Sequence, residues 1–314
     1  MNFEASNRAL HDHFLRITEQ AAVAASAYVG SGDKLAVDDA AVQAMRLAFE
    51  EVPVSARIVV GEGEKDRAPM LYTGEELGAG GPEVDVAVDP VDGTRLAAQN
   101  LPGSVAVMTL APRGSLFDPG RVFYMEKLVT TAAGATLSLE RSLTENLMIL
   151  ASELGRPVSK LRVAVQDRPR NRRYLTEIAD AGAEPVPFAD GDVVESLRAA
   201  RGDGIDMLIG IGGAPEGVLT SVPVAALGGH MQGRLAPQTD GEKAQADAVG
   251  QRYGDILRLG DLAAEPGVFV LSAVTAAAGL DGPTREQGEV AVHSLVIDAS
   301  GEPRRVAWRH PVTR

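Results

Sequence analysis

Strand-like segments alternate with helix-like segments after residue 142, and this alternation constrains the fold most. The helical "TENLMILASELG" is followed by "KLRVAVQ", which is typical of a strand, and by the helical "PRNRRYLTEIADAG". Two further strand–helix pairs lie in "AEPVPFADGDVVESLRAA" and "IDMLIGIGGAPEGVLTSVPVAALGG". Because a crossover helix returns the chain to the next strand in the same direction, this pattern is typical of an α/β fold. The sequence therefore predicts a largely parallel sheet in this part of the chain.

The part of the chain before residue 140 has helices first and strands after them. A first helix is indicated by apolar residues at helical spacing, Phe14, Ile17, Ala21 and Ala24. A second helix begins at "DDAAVQAMRLAFEEV", and strands follow in "ARIVVGEGE", "EVDVAVDP", "SVAVMTLAPRG" and "VFYMEKLVT". Near the end, "EVAVHSLVIDASGEPRRVAWRH" predicts a β-hairpin. We expect an N-terminal α/β half over 1–140 and a C-terminal α/β half over 141–314, closely packed because no linker separates them.

Composition and charge exclude several functional classes. The 314-residue chain carries a formal net charge of −13, which disfavours binding to the phosphates of nucleic acids. It has no cysteine, so disulfides and thiolate-ligated metal sites are excluded. The N-terminus has no visible secretory signal. The longest nearly apolar run, 267–280, is too short to cross a bilayer and is typical of a buried strand. We expect a cytoplasmic protein that has neither a nucleic-acid nor a membrane partner.

A predicted strand in "EVDVAVDP" separates apolar from acidic residues. Valines alternate with Asp85 and Asp89, which places both aspartates on the face opposite to the valines. Pro90 has no amide hydrogen, so we expect the hydrogen-bond ladder to stop there. The valines that form the other face are Val84, Val86 and Val88.

The turn after this strand, "DPVDGT", brings two acids close to a glycine. Asp92 follows Asp89 by one turn, and two carboxylates this close repel each other unless a cation lies between them. Gly93 gives a ligand room to approach, and Thr94 opens a helix whose amide hydrogens favour an anion. Carboxylate oxygens without histidine or cysteine favour Mg²⁺ or Mn²⁺. By itself the turn fits a capped strand-to-helix connection as well as a metal site beside a phosphate.

More charged residues lie at predicted turns. Glu62 ends a strand in "VVGEGEKD", Glu216 opens a helix after the glycine-rich "GIGG", and Asp38 lies near a helix start. "DRPRNRR" groups four arginines, including Arg168 and Arg170, whose forked donors suit a phosphate. Each group also has an ordinary structural explanation: a solvated turn, pairing with the helix dipole, a helix cap and a charged helix surface.

Taken together, these motifs resemble a known family. "DPVDGT" resembles the signature of the lithium-sensitive, metal-dependent sugar- and inositol-phosphatase superfamily. "GEGEKDRAPMLYTGEELG", "FYMEKL", "DRPR", "DGDV" and "GIGGAPEG" are similar, in the same order, to the class II fructose-1,6-bisphosphatases of bacteria. The resemblance extends from about Arg16 to Gly233 and is weaker after residue 235.

The resemblance implies a fold, a reaction and a set of site residues. The fold would be a layered α-β-α-β-α sandwich, and the reaction the hydrolysis of the 1-phosphate of fructose 1,6-bisphosphate with Mg²⁺ or Mn²⁺, a step of gluconeogenesis. Carried over position by position, the metal ligands would be Asp38, Glu62, Asp89, Asp92 and Glu216. Thr94 would polarise the attacking water together with Asp38. Substrate contacts would come from Gly93, Thr94, Tyr124, Arg168, Arg170, Asp190, Asp192 and Gly213.

Three interpretations follow from the resemblance and its weaker C-terminal third. The first is the fructose-bisphosphatase just described, acting as a homo-oligomer of two or four chains. The second is a phosphatase for another sugar phosphate: sedoheptulose 1,7-bisphosphate, an inositol phosphate or a biosynthetic sugar phosphate. The third is a non-catalytic metabolite-binding protein, which has no need for five carboxylates that can ligate a metal.

Overall fold

The computed structural model describes residues 3–4, 7–61, 71–286 and 288–311. Its helices are α1 (Arg8–Ser26), α2 (Lys34–Phe49), α3 (Thr94–Ala98), α4 (Leu143–Glu153), α5 (Arg172–Asp180), α6 (Asp192–Arg201), α7 (Ala214–Ala226), α8 (Asp240–Ala248) and α9 (Leu259–Leu262). The first seven strands are β1 (Ser55–Val60), β2 (Glu76–Leu77), β3 (Glu83–Asp92), β4 (Val105–Pro112), β5 (Tyr124–Thr130), β6 (Arg162–Gln166) and β7 (Glu184–Phe188). The others are β8 (Met207–Gly213), β9 (His230–Leu235), β10 (Leu257–Arg258), β11 (Val268–Ala273), β12 (Thr284–Glu286), β13 (Glu289–Ile297) and β14 (Arg304–Pro311).

The chain forms two compact units. Unit 1 comprises Met1–Leu116 and Glu265–Arg314, and unit 2 comprises Phe117–Ala264. The expected division at residue 140 differs from this one, because β11 pairs with β4 and so returns the C-terminal strands to the first sheet. Unit 2 is therefore an insertion between β4 and β11 in the chain order.

Unit 1 is built on an eight-stranded mixed sheet in the order β12-β13-β11-β4-β3-β1-β2, with β14 paired to β13. The pair β1–β3 is parallel, whereas β3–β4 and β4–β11 are antiparallel. Helices α1 and α2 contribute Phe14, Ile17 and Met45 to the core of this unit. The predicted valine face is confirmed, because the strand residues buried in the same core include Val84, Val86 and Val88.

Two other local predictions for unit 1 are confirmed. The β13–β14 hairpin is present, with register pairs from Glu289 with Pro311 to Val296 with Arg304. The apolar run that begins at residue 267 forms β11, and every residue of this strand is buried. None of the helices in the described ranges is both long and apolar enough to cross a membrane.

Unit 2 is built on a six-stranded mixed sheet in the order β10-β9-β5-β8-β6-β7. Strand β6 is parallel to β7 and β8, but β5 is antiparallel to both of its neighbours, β8 and β9. Strands β6 to β9 thus run in one direction, as the strand–helix alternation predicts. The prediction of a largely parallel sheet is nevertheless wrong, because β5 comes from the preceding segment and lies antiparallel between β8 and β9. The α/β class, with helices layered against mixed sheets, is confirmed.

Candidate active site

The end of β3 contains a bulge that orients two aspartates. Asp89 lies opposite Val107 of β4, and Asp92 lies opposite Val105, with an irregular register between the two pairs. Between these two pairs, two residues of β3 lie opposite one residue of β4, and this two-to-one arrangement defines a β-bulge. The prediction that the ladder stops at Pro90 is wrong: Pro90 lies in the bulge, where no ladder hydrogen bond is needed, and pairing resumes at Asp92.

The bulge changes which face of the sheet Asp92 occupies. In a regular strand, residues 89 and 92 would lie on opposite faces. Val105 and Val107 lie on one face of β4, so their partners Asp92 and Asp89 share that face as well. Asp89 Oδ1 accepts a hydrogen bond from Val91 N at 2.9 Å, which fixes the carboxylate at the turn. The two acids of the motif therefore project from the same side of the sheet.

The turn then leads directly into α3. Gly93 has φ +80°, a left-handed conformation that favours glycine, and α3 begins at Thr94 as predicted. Thr94 Oγ1 donates a hydrogen bond to Val91 O at 2.8 Å. Because the hydroxyl proton is engaged there, the lone pairs of the threonine oxygen are oriented to accept a hydrogen bond from another group.

Asp38 lies within α2 rather than at its cap. Asp33 caps this helix, since its side chain accepts a hydrogen bond from Ala36 N at 3.1 Å. Capping therefore does not explain Asp38, which is half-buried on a helix that packs against β3 and α3.

The predicted metal ligands are distributed over both units. Asp38, Asp89 and Asp92 belong to unit 1, Glu216 belongs to unit 2, and Glu62 lies outside the described residues. Among the residues that the structure describes, no three Asp, Glu, His or Cys side chains are grouped as a metal site. All five predicted ligands are carboxylates, the donor type that Mg²⁺ and Mn²⁺ prefer.

The β8–α7 turn of unit 2 is shaped by two carboxylates. A Cβ atom on Gly213 would lie 1.7 Å from Glu216 Oε2, so the Glu216 side chain folds back over this glycine. A Cβ atom on Gly212 would lie 2.2 Å from Asp192 Oδ2. The glycines of "GIGG" therefore make room for side chains of the protein itself, in addition to any ligand.

Asp192, at the first position of α6, faces the interior of unit 2. Its side chain is only 6% exposed, and Oδ2 forms an ion pair with Nζ of Lys127 in β5. Lys127 Nζ also donates a hydrogen bond to Gly213 O at 3.0 Å. One buried ammonium thus connects the start of α6 with the β8–α7 turn.

Arg170 is held in place by three groups of unit 2. Its Nε donates to Ile211 O at 2.9 Å, and its NH2 donates to Gln166 Oε1 at 2.9 Å. Its guanidinium lies 4.7 Å from the centre of the Tyr124 ring, a cation–π contact. Tyr124 in turn lies opposite Gly213 in the β5–β8 register, so three predicted substrate residues are neighbours.

Arg168 and Asp190 form a second, more exposed pair. Arg168 NH2 lies 2.9 Å from Asp190 Oδ1, and the side chains are 29% and 23% exposed. Asp190 precedes Gly191, which has φ +76° and leads into α6. Within unit 2, the structure therefore places Arg168 beside Asp190, and Lys127 connects Asp192 with Gly213.

Comparison with known proteins gives a consistent result. The sequence model of the family described as "Bacterial fructose-1,6-bisphosphatase, glpX-encoded" matches residues 8–310. The chain belongs to this family. It is 40% identical over 309 residues to the "D-fructose 1,6-bisphosphatase class 2/sedoheptulose 1,7-bisphosphatase" of Prochlorococcus marinus strain MIT 9301, covering 93% of this chain and 92% of the relative. The protein of the same description from strain MIT 9215 matches with the same identity and coverage.

Membership of this fructose-1,6-bisphosphatase family extends through the C-terminal strands. The family match continues past residue 235, where the sequence motifs end, and reaches residue 310 in β14. Strand β11 pairs with β4, next to the β3 strand that carries Asp89 and Asp92. The C-terminal segment therefore completes the sheet from which the aspartates project.

Sequence reasoning missed two buried residues of the fructose-bisphosphatase fold. Lys127 lies in β5, and a lysine within this predicted strand was the available signal. Asn171 is fully buried; its Nδ2 donates to Gln166 O and Ile211 O, both at 3.0 Å. Its Oδ1 accepts from Ile211 N at 2.8 Å, so the side chain bridges β6 and β8 where their direct pairing has ended. No local pattern distinguishes Asn171 from an ordinary turn residue.

The remaining arginines of "DRPRNRR" have other positions. Arg173 pairs with Glu126, which also accepts hydrogen bonds from Arg234 and Tyr174. Burial, together with the Glu126 carboxylate, raises the pKa of Tyr174, so its hydroxyl stays protonated and donates to Glu126. Arg172 is exposed on α5. Within this cluster, Arg168 and Arg170 are therefore predicted substrate residues, whereas Arg173 forms a structural ion pair.

Proposed function

We propose that this protein hydrolyses the 1-phosphate of fructose 1,6-bisphosphate, giving fructose 6-phosphate and inorganic phosphate. The observation that carries the proposal is the family match over residues 8–310. The 40% identical relatives from Prochlorococcus are named for this activity and for sedoheptulose 1,7-bisphosphatase activity. Positions of the predicted site residues in this chain support the same reaction, as the following paragraphs argue.

Divalent cations, Mg²⁺ or Mn²⁺, would be held by the five carboxylates Asp38, Glu62, Asp89, Asp92 and Glu216. Two features support this set: the bulge that turns Asp89 and Asp92 to one face, and the room that Gly213 leaves for the Glu216 carboxylate. When bound, such ions neutralise phosphate charge and lower the pKa of a coordinated water. Acidic side chains that repel one another in the free protein become favourable neighbours when a cation lies between them.

Thr94 and Asp38 would orient and polarise the attacking water. The Thr94 hydroxyl donates to Val91 O, so its oxygen would accept a hydrogen bond from the water and pull on its proton. Asp38, a carboxylate on the neighbouring helix α2, would receive the second hydrogen bond. Two acceptors fix the orientation of the water and so the direction of its lone pairs, which is what in-line attack on phosphorus requires.

The substrate residues would bind the phosphate that is not cleaved, and the sugar. Before substrate binds, Arg170 is already oriented by Ile211 O and the Tyr124 ring, so its side chain loses little conformational freedom on binding. Arg168 would contribute a second cation beside Asp190. Contacts to the sugar and its cleaved phosphate would come from the remaining residues of the set, Gly93, Tyr124, Asp190, Asp192 and Gly213.

A phosphate-release assay with matched variants tests the proposal. The wild-type protein should release phosphate from fructose 1,6-bisphosphate with Mg²⁺ or Mn²⁺ and should lose this activity in a chelator. Asp38→Asn should lose activity by roughly 10²-fold or more, whereas Asp39→Asn, an exposed neighbour on the same helix, should keep it. Wild-type protein without activity at any metal concentration, or chelator-resistant release, would overturn the proposal.

Sedoheptulose 1,7-bisphosphate is a second candidate substrate, because the names of the two relatives include it. Its extra carbon lies between the two phosphates, so Arg168 and Arg170 would have to accept a phosphate one bond further away. Comparing kcat/KM for the two bisphosphates and for an inositol phosphate decides between these substrates.

We further propose a homo-oligomer of two or four chains in the cytoplasm. The absence of cysteine is compatible with a reducing compartment. Light scattering during size-exclusion chromatography measures the number of chains directly; a monomer at assay concentration contradicts this part of the proposal.

A further inference from the structure

Lys127 is a fully buried lysine in the middle of the unit 2 sheet. It lies in β5, on a strand that α6 and α7 cover, and its side chain is 1% exposed. Taking an ammonium group out of water is costly, and an apolar side chain of similar volume often stabilises such a position better. Packing alone therefore gives no reason for a lysine here.

The ammonium group of Lys127 contacts two segments that are distant in sequence. Nζ forms an ion pair with Asp192 Oδ2, 65 residues away, and donates to Gly213 O at 3.0 Å, 86 residues away. Asp192 begins α6 directly after the Asp190–Gly191 turn, and Gly213 precedes α7 and its Glu216. These are the two turns of unit 2 that contribute predicted sugar-binding and metal-binding residues.

Glycines surround the Lys127 side chain. A Cβ atom on Gly212 would lie 2.9 Å from Lys127 Nζ, and a Cβ atom on Gly217 would lie 3.3 Å from Lys127 Cδ. A longer or bulkier cation has no room between these backbone segments. Gly212 and Gly217 of the β8–α7 segment thus leave the space that the Lys127 side chain occupies. Lys127 in turn forms a hydrogen bond with Gly213 of the same segment.

We propose that Lys127 is a positioning residue for substrate binding, which it achieves by tying the Asp190–Asp192 turn to the Gly213 turn. This inference rests on the proposed function. Within the described residues, the second oxygen of Asp192, Oδ1, is buried without a hydrogen-bond partner. Lys127 is therefore the group that compensates the charge of this carboxylate.

Loss of the Lys127 ammonium should affect substrate affinity more than the chemical step. Without it, the buried Asp192 carboxylate is uncompensated and moves toward water, and the Gly213 carbonyl loses its donor. The two turns then shift relative to each other, which misplaces sugar-binding groups. A displacement of about 1 Å at a positioning group is enough to cost up to roughly 10²-fold.

The decisive measurement compares Lys127→Met with Arg156→Met. Arg156 pairs with Asp206, at the opposite end of β8 from Gly213, so its loss removes an ion pair of unit 2 away from the two turns. Lys127→Met should raise KM for fructose 1,6-bisphosphate at least about tenfold, with a smaller change in kcat. Arg156→Met should lower Tm and leave KM unchanged. A merely structural role lowers the folded fraction and not the KM of the folded protein, so an unchanged KM in Lys127→Met overturns the inference.

A double variant keeps the test valid if Lys127→Met does not fold. Lys127→Met with Asp192→Asn removes both charges together, so no buried charge is left unpaired. If the lysine acts through this link, the double variant has a KM within about threefold of that of Asp192→Asn alone. A KM of the double variant about tenfold or more above that of Asp192→Asn would show that the lysine acts independently of this link and would contradict the inference. Failure of the proposed function is a separate result, since it is absence of phosphate release in the wild-type protein.

Discussion

Two strand-to-helix turns, one in each unit, carry acids and glycines but use them differently. At the β3–α3 turn, Asp89 and Asp92 lie on the strand and come to one face through a bulge. At the β8–α7 turn, the acid lies in the first turn of the helix, and Glu216 folds back over Gly213. The first turn thus relies on strand register to place its carboxylates, and the second relies on helix geometry.

The glycines of the two turns also have different tasks. Gly93 has φ +80°, so its backbone conformation favours glycine. Gly213 has φ −66° and ψ 140°, which any residue can adopt, but a Cβ atom there would collide with Glu216 Oε2. Glycine in a functional turn therefore means backbone freedom in one unit and space for a carboxylate in the other. Substitutions can separate these two meanings.

The largest expected effect is that of Asp89→Asn in the first turn. An amide keeps the hydrogen bond from Val91 N but loses the negative charge, so activity should fall roughly 10³-fold, about 4 kcal/mol of barrier. Asp118→Asn is the matched control, because Asp118 Oδ1 accepts from Gly120 N at 2.8 Å in the same local geometry. Phosphate release measures both; full activity in Asp89→Asn removes Asp89 from the metal set.

Thr94→Val in the same turn should have the next largest effect. Valine keeps the branched shape and removes the hydroxyl oxygen, so kcat should fall by about 10²-fold while KM changes little. Thr94→Ser keeps the oxygen and should retain most of the activity. Steady-state kinetics with both variants test the role of the hydroxyl, and an equal kcat in the two would exclude it.

Gly213→Ala in the second turn should reduce activity about tenfold by displacing Glu216. Stability should stay the same or rise by up to roughly 1 kcal/mol, because alanine restricts the unfolded chain and fits the backbone here. Gly241→Ala in α8, where the nearest atom would be 3.7 Å away, is the control with no expected loss of activity. In titrations of phosphate release with Mg²⁺ or Mn²⁺, the metal concentration at half-maximal activity should be higher for Gly213→Ala than for the wild type, and unchanged for Gly241→Ala.

Gly93→Ala should have a clear effect on stability and the smallest effect on activity, because its Cβ would face Leu96 and Gly103 and leave the proposed backbone contact to the substrate in place. Holding alanine at this φ costs about 1–2 kcal/mol, and the new Cβ meets Leu96 Cδ1 at a tolerable 3.3 Å. Gly32→Ala, at φ +77° with no neighbour within 4 Å, should cost the same amount. Urea unfolding measures both; a much larger cost for Gly93→Ala would mean that this turn, too, uses its glycine for space.

Sequence predicted the features of this molecule that depend on local periodicity. The valine face of β3, the start of α3 at Thr94 and the buried strand β11 all follow from spacing and turn residues within a few positions. The position of β5 does not, because it depends on pairing with β8 and β9, which come much later in the chain. The strand–helix alternation after residue 142 therefore does not predict that β5, which precedes it in the chain, joins the same sheet.

Within the candidate site, residue types were easier to predict than their contacts. The set of acids was proposed from the resemblance, and its role as metal ligands stays a prediction. The bulge that turns Asp92 was not predicted, because it depends on a one-residue mismatch with β4. The Lys127–Asp192 pair and the steric role of Gly213 depend on contacts between separate elements, which sequence spacing does not encode.

The insertion of unit 2 between β4 and β11 has a consequence for how the protein is made. Strand β4 is synthesised early, but its partner β11 emerges from the ribosome only after Phe117–Ala264 has been translated. At about 5–20 residues per second, the edge of β4 stays without this partner for on the order of ten seconds. An unpaired strand edge is a template for pairing with other chains. The nascent chain is therefore most exposed to aggregation while unit 2 is being translated, and a chaperone that covers β4 would act in that interval.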